Sequence, residues 1–166
     1  MIGSGDHYVL GLVVSMPLEV AEAIIDSAFR TRKAEGILPL TVAVLDAGGN
    51  LVALKRENGS GILRADIAIG KAWGALGMGI SSRTIRDRLR DRPSFQAALA
   101  TASDGRFVPV PGGVLVRNAE DQVIGAVGIS GDASDKDEYC AIVGIHAAGY
   151  GSHPEEPDED WRKTGL

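Results

Sequence analysis

The stretch Leu40-Thr-Val-Ala-Val-Leu-Asp-Ala-Gly-Gly-Asn-Leu-Val-Ala-Leu-Lys-Arg56 decides the fold class of this chain. Residues 40–46 are mostly apolar, with valines at the alternate positions 42 and 44, which is typical of a buried strand. Gly and Asn accept the positive φ of a tight turn at low cost, and a second apolar run follows the turn. The stretch therefore predicts a β-hairpin with strands over 40–46 and 51–56.

Apolar residues recur with helical spacing on both sides of this hairpin. Alanines at 65, 68, 72 and 75 share one face of a helix that we predict from Arg64 to about Leu76. Strand runs joined by tight turns favour antiparallel pairing, so we predict an α+β fold, an antiparallel sheet with helices packed mainly on one face. The other predicted helices cover residues 17–36, 82–90, 93–102 and 134–148, and the other predicted strands cover 8–14, 107–110, 113–117 and 122–130.

Composition favours a single globular domain. The chain has 166 residues, with 17 Lys and Arg against 22 Asp and Glu, and a net charge of −5. We assign residues 1–150 to one domain and residues 151–166 to an acidic C-terminal tail. Because there is no run of basic residues and no apolar run reaches the ~18–20 residues of a membrane span, we expect neither nucleic acid nor a membrane as a partner.

Cysteine content and the N-terminus bear on the cellular compartment. The single cysteine, Cys140, excludes an intramolecular disulfide and a metal site made of cysteines alone. The N-terminus lacks a basic segment followed by an apolar core, so no secretory signal is predicted. We expect a cytoplasmic protein.

A family resemblance rests on five segments taken in order. They are Val42-Ala-Val-Leu-Asp46 with Gly48-Gly-Asn-Leu51, Ala68–Ala75 around Lys71, Pro111-Gly-Gly113, Ile124–Gly131, and Asp137-Glu138 leading to Gly144-Ile145. Together they resemble the haem-degrading domain family, which includes glycolate-operon accessory proteins, extracellular haem-binding proteins and the C-terminal domain of some corrinoid adenosyltransferases. The resemblance implies a five-stranded antiparallel sheet flanked by helices and assembly into dimers to octamers. It also implies binding of haem, cobalamin or another small planar or acidic ligand.

The resemblance makes haem a candidate cofactor. Some relatives place a haem-ligating histidine near the first helix, whereas this sequence has no histidine between Met16 and Lys33. His7 lies too far upstream to match that motif. The sequence therefore leaves the cofactor, and any metal, unassigned.

Three residues of the last predicted helix are candidate catalytic residues. Asp137 and Glu138 lie near its start, where a carboxylate can act as a general base or complement the helix dipole. With the aspartates at 132 and 135 they could also form a hard-cation site. His146 lies near the helix C-terminus, where an imidazole can transfer a proton, ligate a metal or compensate the dipole. The sequence leaves these alternatives open.

Six further residues are candidate ligand-binding residues. Arg64 and Arg83 flank glycine-rich bends, and a guanidinium can bind a carboxylate through two parallel hydrogen bonds. Lys71 lies mid-helix among glycines, where its ammonium can bind a carboxylate or phosphate or extend into solvent. Helical glycines around Trp73 indicate the close approach of another helix or of a flat ligand. The resemblance adds Gly112 and Gly113.

Three functions remain open at this point. The resemblance favours a small-ligand-binding protein of the haem-binding type. An enzyme acting on a small carboxylic or hydroxy acid is the alternative, with an arginine or lysine binding the acid and Asp137, Glu138 or His146 transferring a proton. The third is a non-catalytic assembly subunit. Small residues along the helix from Arg64 also predict a homo-oligomer, and we expect Trp161 to anchor the acidic tail.

Overall fold

The computed structural model describes residues 9–166, which form an α+β fold with a five-stranded antiparallel sheet. The fold class and the antiparallel sheet are therefore confirmed. The helices are α1 (Leu18–Ala34), α2 (Leu63–Met78), α3 (Ser82–Leu89), α4 (Pro93–Ala102) and α5 (Ser134–Ala147). The strands are β1 (Thr41–Asp46), β2 (Leu51–Arg56), β3 (Gly113–Arg117), β4 (Val123–Ser130) and β5 (Gly151–His153), and a 3₁₀ turn covers Trp161–Lys163.

The predicted hairpin is formed by β1 and β2, and the side chain of Asp46 fixes its turn. Asp46 Oδ1 accepts hydrogen bonds of 2.9 Å from the backbone N–H groups of Gly48 and Asn50. Gly49 has a φ of 81°, a conformation that glycine adopts without strain. β1 pairs with β4 on its other side, so the hairpin leads directly into the centre of the sheet.

Helices cover both faces of the sheet, whereas the sequence predicted them mainly on one. The strand order is β2-β1-β4-β3-β5. Val44 of β1 belongs to the larger core with α1 and α5, and Leu45 belongs to a second core with Ala72 and Ala75 of α2. Successive residues of a strand point to opposite faces of the sheet, and Val44 and Leu45 are both apolar. Both faces of the sheet therefore need a helical cover.

α2 lies very close to the sheet because the strands beneath it carry glycine. A Cβ on Gly128 would meet the carbonyl oxygen of Ala68, and a Cβ on Gly113 would meet the carbonyl oxygen of Lys71. Ala68 and Ala72 complete the contact from the helix side. The alanines and glycines of this region thus bring helix and strand backbones together, and Gly113 contributes to packing.

The fifth strand is not the one that the sequence predicted. Residues 107–110 form no strand and instead cross α2, where a Cβ on Gly70 would lie 2.6 Å from Val108 Cγ2. β5 takes the place at the sheet edge and pairs antiparallel with β3. Of the strand predicted over 8–14, residue 8 lies outside the described residues, Val9 forms a single bridge, and residues 10–14 form no strand.

Residues 151–166 contribute to both the sheet and the core. After β5, the chain brings Trp161 to the larger core, where only 6% of its surface is exposed. Its ring stacks on Tyr139 of α5 with the centroids 3.7 Å apart, and Arg162 lies over the indole. The prediction that Trp161 anchors the tail is therefore correct.

Candidate functional site

Lys71 and Asp137 form an ion pair in the protein interior. Lys71 Nζ lies 2.9 Å from Asp137 Oδ2 and donates a second hydrogen bond of 2.9 Å to the carbonyl oxygen of Ile129. A Cβ on Gly112 would lie 2.9 Å from Nζ, so this glycine makes room for the ammonium group. Burial raises the pKa of Asp137 to about 6, although Lys71 favours the carboxylate. Lys71 is thus an internal partner of Asp137 and does not extend into solvent.

Glu138 lies beside Arg83, and the tail covers this pair. Glu138 is fully buried, and neither of its carboxyl oxygens accepts a hydrogen bond from a described residue. Arg83 Nε is 3.2 Å from Glu138 Oε1, and Arg83 Nη2 donates a 2.8 Å hydrogen bond to the carbonyl oxygen of Glu156. Burial raises the pKa of Glu138 to about 7 against the opposing effect of the guanidinium. Such a carboxyl group can gain or lose a proton near neutral pH.

Both described histidines use a ring nitrogen in hydrogen bonds within the protein. His146 Nε2 lies 2.9 Å from Ser152 Oγ, which donates its own hydrogen to the carbonyl oxygen of Pro154 at 2.7 Å. This network assigns the proton of His146 to Nε2. His153 Nδ1 accepts a 3.0 Å hydrogen bond from the Ser81 N–H, and burial lowers the pKa of His153.

His146 is also distant from the other catalytic candidates. It lies eight residues after Glu138 on α5, which corresponds to about 12 Å along the helix axis. The structure therefore does not assemble Asp137, Glu138 and His146 into one catalytic group.

Arg64 projects from the first turn of α2 toward the end of β4. Its Nη1 donates a 3.1 Å hydrogen bond to Ser130 Oγ. Within residues 9–166, no Asp or Glu oxygen lies within 4.0 Å of its guanidinium nitrogens. The positive charge of Arg64 therefore has no direct carboxylate partner among the described residues.

Trp73 adjoins two clefts on the outer face of α2. The first has a volume of about 160 Å³ and is lined by Trp73, Gly74, Gly77, Leu99 and Phe107 among others. The second has a volume of about 210 Å³ and lies between the hairpin turn and α2, again with Trp73 and Gly77 in its wall. The Arg106 guanidinium carbon lies 4.2 Å from the Trp73 ring centroid, a cation–π contact. Sequence reasoning missed Arg106, because only the path of the preceding helix and loop brings it to Trp73.

The cation alternative at the start of α5 lacks a set of ligands. Asp132 Oδ2 accepts a hydrogen bond from the Leu38 N–H, and Oδ1 accepts one from the Ala133 N–H. Asp137 Oδ1 accepts one from the Asp132 N–H. No group of three or more His, Cys, Asp or Glu side chains in the described part of the chain is arranged to hold a metal ion. These carboxylates instead stabilise the loop before α5.

The candidates thus occupy separate places along α2 and α5. The buried pair of Lys71 and Asp137 lies at the centre, with Gly112 and Gly113 packed against it. Glu138 and Arg83 lie under the tail, Trp73 lies on the outer face of α2, and Arg64 lies at the N-terminal end of that helix. Among the charged candidates in the described part of the chain, only Lys71 with Asp137, and Glu138 with Arg83, are in direct contact.

Comparison with known proteins identifies the family. The model of the haem-degrading HbpS-like proteins matches residues 16–146, which include every strand except β5 and all five helices except the last residue of α5, Ala147. The chain therefore belongs to the HbpS-like family, as the sequence motifs predicted. No helix within residues 9–166 has the length and apolar character required to cross a membrane.

Individual relatives are more distant. An uncharacterized 15.0 kDa protein from the dhaT-dhaS intergenic region of Citrobacter freundii is 30% identical over 104 residues, which are 63% of this chain and 72% of that protein. The crystal structure of a PduOC:heme complex matches 84% of this chain and 99% of its own, with a TM-score of 0.75 and 23% identity. The Klebsiella pneumoniae protein ORFY matches 87% and 98%, with a TM-score of 0.74 and 23% identity. These structures share the fold.

Proposed function

We propose that this protein binds a planar tetrapyrrole of the haem type on the outer face of α2, against Trp73. The observation that carries the proposal is the pair of clefts that share Trp73 and Gly77. Each cleft alone is smaller than the roughly 300–1,000 Å³ of an ordinary ligand site. A flat ligand that lies across Gly77 would use both clefts, with the indole as an aromatic contact and helical glycine as the floor.

Membership of a haem-degrading family supports this ligand class, and one structural neighbour is a complex with haem. The histidines argue for a particular mode of binding. His146 Nε2 carries the proton that it donates to Ser152, so this nitrogen is not free to ligate iron, and ligation through Nε2 of His153 would require a proton on Nδ1, where Ser81 now donates. The proposed contact is therefore with the ring plane and does not rely on either histidine as an iron ligand.

The test compares haemin with metal-free protoporphyrin IX, so that iron ligation and ring contact are measured separately. Haemin binding is followed by the Soret band, and protoporphyrin binding by quenching of tryptophan fluorescence. Gly77→Leu places a side chain in both clefts, and Gly77→Ala is the matched control because no atom lies within 4 Å of a Cβ at this position. Both variants should fold, since leucine and alanine favour a helix over glycine.

We expect saturable binding of both porphyrins to the unmodified protein and to Gly77→Ala, and at least tenfold weaker binding to Gly77→Leu. Equal affinities of the two variants would show that the porphyrin does not bind against Trp73. Absence of saturable binding of either porphyrin to any variant would overturn the tetrapyrrole proposal.

A proton-transfer enzyme acting on a small carboxylic or hydroxy acid is the second candidate. Glu138 supports it, since its carboxyl group is buried and accepts no hydrogen bond from a described residue, burial raises its pKa to about 7, and it lies beside a guanidinium that can bind an acid. Solvent-deuterium exchange into small 2-hydroxy and 2-oxo acids, followed by NMR, tests this. The unmodified protein and the exposed-site control Glu22→Gln should catalyse exchange, and Glu138→Gln should not. Exchange that is absent, or equal in all three proteins, would exclude this candidate for those acids.

A further inference from the structure

Polar side chains line up across three strands at the end of the sheet near the start of α2. Thr41 of β1 pairs with Arg56 of β2 on one side and with Ser130 of β4 on the other. Residues 41, 43 and 45 point to the same face, and Leu45 packs against α2, so this row lies on the α2 face. Ser60 joins the row, with its Oγ 2.8 Å from Thr41 Oγ1. The hydroxyl-bearing residues 41, 60 and 130 are all buried.

Among the described residues, three positive charges and two carboxylates adjoin this row, and one carboxylate, Glu57, is already paired with Arg32. Arg56 Nη1 donates to the carbonyl oxygen of Ser60, Arg64 Nη1 donates to Ser130 Oγ, and Lys71 Nζ donates to the carbonyl oxygen of Ile129, the residue before Ser130. The other carboxylate is Asp137, whose two oxygens already accept from Lys71 and from a backbone N–H. Within the described chain, neither arginine has an Asp or Glu oxygen within 4.0 Å.

The hydrogen-bond donors in this row also outnumber the acceptors. Arg64 has five N–H donors, of which described residues accept one. Ser130 Oγ accepts from Arg64, so its own hydrogen points elsewhere, and no described residue accepts it. One hydrogen bond joins the hydroxyl groups of Thr41 and Ser60, so one hydroxyl donates and the hydrogen of the other is not accepted by a described residue. Lys71 uses two of its three donors. An occupant that only accepts hydrogen bonds would match this set.

We infer that Arg64 and Arg56, with the Ser130 hydroxyl, form a binding site for a small oxyanion, a carboxylate or phosphate group. Guanidinium groups bind both through paired, charge-assisted hydrogen bonds, and the anion would balance the excess positive charge. The site is independent of the proposed tetrapyrrole site, because Arg64 precedes Trp73 by nine residues on α2, about 14 Å along the helix axis. Arg56 is exposed and Arg64 is half-buried, so an anion can reach them from solvent.

The experiment titrates the protein with sodium phosphate and, separately, sodium malonate at constant ionic strength set with sodium chloride. Isothermal titration calorimetry gives the Kd, and the melting temperature gives a second readout. Arg64→Gln removes the central guanidinium, Arg64→Lys keeps the charge without the paired donors, and Ser130→Ala removes the hydroxyl. Arg30→Gln is the matched control, because Arg30 is exposed on α1, on the opposite face of the sheet.

We expect saturable binding of at least one of the two anions, with a Kd that rises about tenfold or more in Arg64→Gln and less in Ser130→Ala. Phosphate preference would identify a phosphate-bearing ligand, and malonate preference a carboxylate. Arg30→Gln and Gly77→Leu should bind the anion as the unmodified protein does. No saturable binding of either anion, or equal losses in Arg64→Gln and Arg30→Gln, would overturn the inference, whatever the outcome with porphyrins.

Discussion

Replacing Glu138 by glutamine should make the protein more stable at pH 8 while leaving its stability at pH 4.5 nearly unchanged. One pKa unit corresponds to about 1.4 kcal/mol, so a pKa that rises from 4.5 to about 7 on folding disfavours the ionised native state by about 3 kcal/mol. Between these two pH values the native state keeps a proton that the unfolded state has lost. Stability therefore falls as the pH rises through this window and levels off above pH 7. Glutamine remains neutral and escapes the penalty.

Urea unfolding from pH 4.5 to pH 8.5 measures this effect. Burial raises the pKa of Asp137 to about 6 and lowers the pKa of His153, so both residues also make stability depend on pH. The informative quantity is therefore the difference in unfolding free energy between Glu138→Gln and the unmodified protein at each pH. That difference should grow by about 3 kcal/mol from low to high pH. Glu22→Gln, at an exposed position of α1, should show no such growth. A flat difference profile would mean that Glu138 is ionised in the native state at little cost, and the reasoning from burial would be refuted.

Four further outcomes can be measured by denaturation and light scattering. Gly77→Ala should raise the unfolding free energy by about 0.5–1 kcal/mol, whereas Gly128→Ala should lower it by about 1–3 kcal/mol or more, because the new methyl group meets the carbonyl oxygen of Ala68. Lys71→Met should cost about 3–5 kcal/mol, and combining it with Asp137→Leu should recover most of the loss; equal losses in both proteins would contradict the burial penalty. Trp161→Ala should cost about 3–5 kcal/mol, and a smaller loss than 1 kcal/mol would mean that the tail is held elsewhere. Light scattering at micromolar concentration should give a mass above the 17.3 kDa monomer, because α4 is apolar and has no buried residue in the single chain; a strictly monomeric mass would contradict this.

The sequence predicted the features that depend on neighbouring residues. The β1–β2 hairpin follows from alternating valines and a Gly-Gly-Asn turn, and α3 begins after Ser81, whose hydroxyl accepts from the Thr84 N–H as a helix cap should. The fifth strand could not be found in this way. Residues 107–110 have the composition of a strand, but in the fold they pack against glycines of α2. They do not lie beside the edge of a strand with which they could pair. Gly151-Ser-His153 has little β propensity and is a strand only because β3 offers it an edge.

The candidate site shows the same division between local and long-range information. Sequence motifs identified Lys71, Asp137 and Glu138 as notable, yet their partners are far away in the chain. A lysine in a helix is usually solvated, and only the fold shows that Asp137 meets this one in the interior. Sequence reasoning missed Arg106 because no pattern of neighbouring residues indicates its contact with Trp73, which is distant in the chain. The excess of positive charge around Arg64 likewise requires three strands and a helix to be seen together.

The short strand β5 also protects the protein against aggregation through the edge of its sheet. It pairs with Leu115, Val116 and Arg117 of β3, a strand rich in valine and leucine that would otherwise offer unpaired N–H and C=O groups at the edge of the sheet. Such an edge is a template on which a second chain can add a strand, and repeated addition leads to fibrils. Proteolytic loss of the C-terminal residues would therefore expose this edge of the sheet and lower the solubility of the protein, and the acidic residues of that segment would be lost at the same time.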